Sequence, residues 1–290
     1  MIQVRRIGHI TLETPDLPRQ VEYFSEIMGL VLVAQAQDRA FLASKVGQLA
    51  VQLNRASAAR CVRLSFEVAP DTDLNAVAKS LTAEGISSEL RSDAIPGLSR
   101  TLAFQDPKGT LIEIFTASEA IGPAHTPRGV SPIKLGHVAY EVGDIQQVKS
   151  FYERVLGFRV SDWIDDYFVF MRCNPDHHTV NFLQGKGDVL HHMAYEVKDW
   201  AHIQSACDFL GNTDVKLAWG PLRHGPGHNI AVYFHDRDGQ LVEIYCELDQ
   251  IKDEALGYFD SRPWHKERPQ KPKVWVGRAS GVIWGLGRPR

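Results

Sequence analysis

The sequence has no uninterrupted apolar run approaching the about 20 residues that cross a bilayer, so no transmembrane helix is expected. Its opening, MIQVRRIGHI, lacks the apolar stretch of a secretory leader. The four cysteines (Cys61, Cys173, Cys207 and Cys246) are scattered, with no CxxC pair, which argues against a disulfide scaffold or a thiolate metal knuckle. A reduced, cytoplasmic setting is the expectation. A formal net charge of −3 argues against electrostatic capture of nucleic acid or of an anionic membrane. The remaining composition, 44% hydrophobic and 23% charged, is that of an ordinary globular chain with room for two domains.

What is present is a repeat. IGHITLET near the start reappears as LGHVAYEV, which sets His9 against His137. CVRLSFEV aligns with LHHMAYEV, placing Arg63 opposite His192, and GTLIEIF aligns with GQLVEIY, matching Glu113 to Glu243. These three offsets differ by only one residue from each to the next, as a tandem duplication with slight drift would give. Each half reads as βαβββ twice over. In the first, strands are expected near 6–13, 31–35, 39–44, 49–53, 61–68, 88–92, 100–105 and 110–116, with helices at 18–29 and 72–84. In the second, strands are expected near 135–142, 158–162, 166–172, 179–184, 190–197, 215–219, 230–235 and 240–246, with helices at 145–156 and 199–210. The turns Asp106–Gly109 and Asp236–Gly239 occupy equivalent places, each with a glycine suited to positive φ.

The expected divisions are residues 1–118, a linker at 119–132, residues 133–250 and a tail from 251. The linker has three prolines, two glycines and no apolar period. Residues 261–290 hold eight Lys/Arg, one Glu and three tryptophans (Trp264, Trp275, Trp284). So many tryptophans suit a tail docked on its own domain or on a neighbouring subunit better than a solvated one.

His137, His192 and Glu243 each sit in a short apolar strand. Two imidazoles and one carboxylate form a three-donor set that leaves coordination positions open, which suits a non-haem Fe(II). By strand parity His137 shares a face with Leu135 and Ala139, and His192 with Leu190 and Ala194. His191 should then face away, and it is rejected as a ligand on that ground. In the first copy Arg63 would repel a divalent cation, so that half is expected to be metal-free and the second half to be the metal domain.

These segments, with HHT (177–179), RHGPGHN (223–229), Tyr233 ten residues before Glu243, and DRDGQLVEIY, resemble the type I extradiol ring-cleavage dioxygenases of the vicinal oxygen chelate superfamily. The resemblance covers residues 5 to 248. It implies an α+β fold of two tandem domains, each of two βαβββ modules forming an open β-barrel. It also implies Fe(II), occasionally Mn(II), and O₂-dependent opening of a catechol beside one of its hydroxyls. The expected partners are therefore a catecholic small molecule and O₂, in a homo-oligomer.

Carried over by motif, His178 resembles the histidine that handles a proton at the oxygen side. His224 resembles a second pocket histidine, and Tyr233 the tyrosine that bonds a catechol oxygen. Phe170 resembles a pocket aromatic. His228 matches a longer form of the motif without a defined role. Trp219 and Ala139 stand where members acting on carboxylated rings carry polar groups, so a hydrophobic or aryl-substituted catechol is expected. His177 is expected to face away, and His125, His202, His235 and His265 have no motif support. Two alternatives stay open: a glyoxalase-like metal isomerase and a metal-free small-molecule-binding protein of the same superfamily.

Overall fold

The computed structural model describes residues 2–122 and 128–287. The middle of the expected linker, with His125, lies outside the described residues. The first half contributes strands β1 (Val4–Thr14), β2 (Val31–Gln35), β3 (Arg39–Ala43), β4 (Leu49–Arg55), β5 (Arg60–Val68), β6 (Ser88–Ile95), β7 (Leu98–Gln105) and β8 (Leu111–Phe115). Its helices are α1 (Leu17–Glu22) and α2 (Leu74–Ala83). The second half contributes β9 (Lys134–Val142), β10 (Arg159–Ile164), β11 (Phe168–Arg172), β12 (Val180–Gln184), β13 (Val189–Glu196), β14 (Leu217–His224), β15 (Ile230–His235) and β16 (Leu241–Cys246). Its helices are α3 (Ile145–Arg154) and α4 (Trp200–Gly211).

The two halves have the same topology. The first sheet runs β2-β3-β4-β1-β5-β8-β7-β6, and the corresponding strands of the second run β10-β11-β12-β9-β13-β16-β15-β14. In both, the first strand of one module lies antiparallel to the first strand of the next, and each pairs in parallel with the last strand of its own module. Both are mixed, open sheets. Within each module a helix carries the chain across before the strands return, as parallel pairing requires.

Each helix opens on an aspartate whose carboxylate accepts a backbone N–H of the first turn: Asp16, Asp73, Asp144 and Asp199. The helix expected over 18–29 is present, but it is α only at its start. After Glu22 the chain widens into a π turn over Tyr23–Ile27, with the Met28 N–H donating to the Tyr23 carbonyl at 3.1 Å. The wide turn lets the adjacent Tyr23 and Phe24 both point into the core, which a regular 3.6-residue spacing does not favour.

The tail is docked. β17 (Ile251–Asp253) and β18 (Tyr258–Phe259) form a small hairpin, and β19 (Lys273–Trp275) and β20 (Val282–Gly285) add to opposite edges of the second sheet, on β10 and β14. The Arg223 guanidinium lies over the rings of Trp264 and Trp284, at 4.7 and 5.7 Å, and pairs with Glu247 at 2.8 Å. Two of the three tail tryptophans therefore clasp a strand of their own domain. No helix among the described residues is long and apolar enough to cross a membrane.

The halves meet through a single core that draws residues from both. The turn at Asp106 inserts Lys108 against the second half, with its ammonium over the Tyr140 ring at 4.3 Å and paired with Asp106. The Tyr152 hydroxyl also donates to Asp106, at 3.1 Å. The equivalent turn at Asp236 has Asp238 in place of the lysine, so its buried carboxylate lacks that cation. Burial pushes the Asp236 carboxyl up to about 6, against the backbone N–H groups of Gln240 and Asp238 that favour its charge. A carboxyl raised in the folded state gives most stability below its unfolded value. That contribution is lost as pH climbs to about 6, and is flat above it. Asp236→Asn keeps one acceptor oxygen for the turn. It is expected to raise stability by about 2 kcal/mol at pH 8 and to have little effect near pH 4, as read by urea melts at the two pH values.

Candidate metal centre

Three strands of the second sheet bring their ligand-type side chains to one point. His137 comes from β9, His192 from β13 and Glu243 from β16. The two Nε2 atoms are 3.4 Å apart, and they lie 3.3 and 3.2 Å from Glu243 Oε2. All three residues are buried. A triangle of this size lets one cation reach all three donors at about 2.1 Å, its edges lying between the octahedral edge of about 3.0 Å and the tetrahedral edge of about 3.4 Å. Burial raises the Glu243 pKa, but the His137 and His192 imidazoles more than offset it and hold the carboxyl well below its usual range. Burial also holds His137 below its ordinary value, despite the attraction of Glu243. An ionised carboxylate and a neutral imidazole are the forms that ligate a cation.

Each donor is held from behind. Asn229 donates its amide N–H to Glu243 Oε1 at 3.0 Å, leaving Oε2 for the triangle. His192 Nδ1 meets His191 Nδ1 at 2.7 Å. If His192 ligates through Nε2, its Nδ1 hydrogen is donated to His191, the kind of outer contact that fixes a ligand's tautomer. The expectation that His191 faces away is therefore corrected. The β9–β13 register shifts between Leu190 and His192, and this bulge breaks the parity on which the expectation rested. His191 lines the same cavity as His192, although it is outside the donor triangle. Behind His137 stands the Tyr245 ring, 5.0 Å away. It fits only because residue 136 is glycine: a Cβ there would run into the Tyr245 hydroxyl. Gly8 makes the same room for Phe115 in the first half.

The triangle forms the base of a cavity of about 460 Å³. Phe168, Phe170, Leu183, Trp219, Leu222 and Val282 supply apolar wall, the last from the tail. His178, His224 and Tyr233 face the same space. His224 Nε2 lies 2.8 Å from the Tyr233 hydroxyl, and Trp219 stacks on the Tyr233 ring at 4.2 Å. Burial lowers His224 and His178, the latter well below the ordinary imidazole range with further repulsion from His137. Burial, aided by Glu243, raises the Tyr233 hydroxyl well above its ordinary value, so it is a hydrogen-bond donor at neutral pH.

Two expected wall residues are elsewhere. Ala139 is fully buried in the sheet between Asn181 and His192 and does not reach the cavity; Asn181 does. His228 is turned away where the chain passes through positive φ at Gly227 and His228. Its Nδ1 meets Asp249 at 2.6 Å and its ring packs on His265. His228, Asp249 and His265 form a second compact donor set. It suits a divalent cation poorly. The Arg262 backbone N–H donates to His265 Nδ1 at 3.2 Å, so the ring hydrogen sits on Nε2, the atom that would have to ligate. Asn181, Asn229 and the tail residues Arg278 and Val282 were not singled out in the sequence. Of these four, only Asn229, inside RHGPGHN, lay in a motif that could have flagged it.

At the matching place in the first half an arginine stands beside the carboxylate. Arg63 pairs with Thr11 as His192 pairs with Ala139, and its guanidinium lies 3.4 Å from Glu113 Oε2. Ser65 links His9 Nε2 to Glu113 Oε1 through contacts of 3.0 Å each. Burial, with Arg63 nearby, lowers His9 to about 3.

The chain is similar to known proteins over nearly its whole length. Over 282 residues the chain is 25% identical to the metapyrocatechase of Pseudomonas sp. (strain CF600), covering 90% of both chains. It is 23% identical to an iron-dependent extradiol dioxygenase of Rhodococcus jostii (strain RHA1), covering 88% of this chain and 93% of that one. Among solved structures, the Mn(II)-bound glyoxalase from Novosphingobium aromaticivorans superposes with a TM-score of 0.86 at 26% identity, covering 99% of this chain and 93% of that one. The family model described as the Glyoxalase/Bleomycin resistance protein/Dioxygenase superfamily matches twice, over residues 6–114 and 134–244, and the chain belongs to that superfamily.

Proposed function

We propose that the chain is an extradiol ring-cleavage dioxygenase that opens a catechol with O₂. Its second half would serve as the metal domain and its first half as a metal-free partner. The observation that carries this reading is the buried triangle of two imidazole nitrogens and one carboxylate oxygen at the base of an apolar cavity. His137, His192 and Glu243 would hold the metal, Fe(II) in preference to Mn(II), because a two-histidine, one-carboxylate face with open positions suits a non-haem ferrous ion. When bound, the metal would acidify a substrate hydroxyl as a Lewis acid and supply the electron density that O₂ accepts.

The protein's own groups divide the remaining work. Glu243 brings one negative charge, so a singly deprotonated diol would leave the centre neutral. His178 would take the hydroxyl proton and then offer it to the developing oxygen charge. The Tyr233 hydroxyl donates to His224 Nε2, because the His224 ring hydrogen sits on Nδ1 against the Gly281 carbonyl, and Tyr233 would turn that hydroxyl hydrogen to a ring oxygen as the diol binds. Phe170 and Trp219 would bound a flat ring, and fixing it in one pose would remove the cost of a random encounter. The walls favour a hydrophobic or aryl substituent, since an unpaired carboxylate against them would be costly. The cationic wall residue Arg278 is exposed, with its guanidinium 5.3 Å from the Tyr167 ring, so it stays in contact with water. The reading includes a homo-oligomer in a reducing cytoplasm, where the cysteines are free thiols.

The test is anaerobic reconstitution with Fe(II), then oxygen-electrode assays on catechol, 3-methylcatechol, 2,3-dihydroxybiphenyl and 1,2-dihydroxynaphthalene. O₂ uptake with a yellow ring-fission product is expected, strongest with the aryl-substituted members. Inertness toward every diol would sink the proposal. Turnover of methylglyoxal–glutathione would point to an isomerase.

A further inference from the structure

A line of buried hydrogen-bonding groups runs back from the cavity wall. His178 Nδ1 lies 3.0 Å from His177 Nδ1, and His177 Nε2 lies 3.1 Å from Asp162 Oδ2. The tail closes the far end. The Trp275 indole N–H donates to Asp162 Oδ2 at 2.7 Å, and the Lys273 backbone N–H donates to Oδ1 at 2.8 Å. Asp162, His177 and His178 are each less than 5% exposed.

Hydrogen counting orders this line. A carboxylate only accepts, so the hydrogen between Asp162 and His177 belongs to His177 Nε2. With one hydrogen on that ring, His177 Nδ1 has a lone pair, and the hydrogen between the two rings must sit on His178 Nδ1. That leaves Nε2 as the bare nitrogen of His178, the residue that faces the cavity. The reverse order, with His177 donating to His178, would need a second hydrogen on the buried His177 ring or a protonated Asp162.

We propose that Asp162, His177 and the tail residue Trp275 are positioning residues that hold His178 as its Nδ1–H tautomer, so that Nε2 meets the substrate as a proton acceptor. This rests on the dioxygenase reading for its use, but not for its geometry. In use, the hydroxyl proton passes to His178 Nε2 and the O–H electron pair stays on the ring oxygen. The tail thus has a role in the site besides closing it. Deprived of Trp275, Asp162 loses one of the two tail donors that aim it at His177.

The test reads the tautomer directly. Full-length protein labelled with ¹⁵N-histidine, metal-free and Zn(II)-loaded, is examined by long-range ¹H–¹⁵N correlation. His178 is expected to show a bare Nε2 and a hydrogen-bearing Nδ1, and His177 the reverse. Asp162→Leu should average the two forms of His178 and lower kcat of the iron enzyme by about 10–100-fold, with KM and metal content nearly unchanged. Trp275→Phe, which removes a single donor, should act in the same direction with a smaller effect. A hydrogen on His178 Nε2, hydrogens on both His177 nitrogens, or an unchanged tautomer in both variants would overturn the proposal. The spectra need neither iron nor substrate, so failure of the dioxygenase reading would leave this result distinguishable.

Discussion

Glu243→Gln is expected to cost the protein about three orders of magnitude in Fe(II) affinity, which corresponds to about 4 kcal/mol. Turnover should become undetectable at ordinary metal concentrations. The substitution keeps the shape of the side chain but removes the single negative charge of the triangle. Asn229 already donates to Oε1. If the glutamine keeps its oxygen there, its amide nitrogen takes the place of Oε2, between two imidazole nitrogens 3.4 Å apart. An amide N–H₂ there is a donor where a metal needs an electron pair, so the three-point face is reduced to two ligands. The fold should survive, because an amide can donate to either neighbouring imidazole. Metal content by elemental analysis, paired with an unfolding curve of the metal-free protein, checks both halves of the expectation. Normal iron content in the variant would remove Glu243 from the ligand set.

The parts of this arrangement that were legible in the sequence are those fixed by local periodicity. The repeat showed the order of strands and helices along the chain because alternating apolar positions and glycine-closed turns recur at matching offsets. The three donors were legible because each lies in a strand whose counterpart in the first half is also recognisable. What was not legible depends on register and on distant chain. The bulge at His191 inserts one residue into β13 and reverses the parity rule that worked for its neighbours. The turn at Gly227 removes His228 from the wall although its motif is intact. The helix expected at 18–29 forms, but its second half is a π turn because Tyr23 and Phe24 both find room in the core, and tertiary packing overrides the α period there. Asp162 and Trp275 lie 113 residues apart and meet only because β19 adds to the edge of the second sheet. No local pattern carries such a contact, and His177 gained a role only once Asp162 was beside it.

Arg63→Met is expected to destabilise the first half by about 3 kcal/mol while leaving iron content and the cavity unchanged. Glu113 is fully buried, and Arg63 is the cation beside it, 3.4 Å from Oε2. The remaining partners, Ser65 at 3.0 Å and Thr101 at 3.4 Å, are neutral. His9 cannot take over the arginine's role, since burial and the arginine's own field lower its pKa to about 3, and burial persists in the variant. The methionine fills the volume of the arginine stem, so the loss measures an uncompensated charge more than a void. The estimate lies at the low end for broken buried pairs because the Arg63 side chain is 16% exposed and water partly screens it. Urea unfolding of wild type and variant should show the shift, and Arg63→Met,Glu113→Gln should recover much of it by removing the orphaned charge. If the double variant were no more stable than the single one, the arginine would owe its place to packing. The equivalence drawn between the guanidinium of the first half and the metal of the second would then fail on energetic grounds.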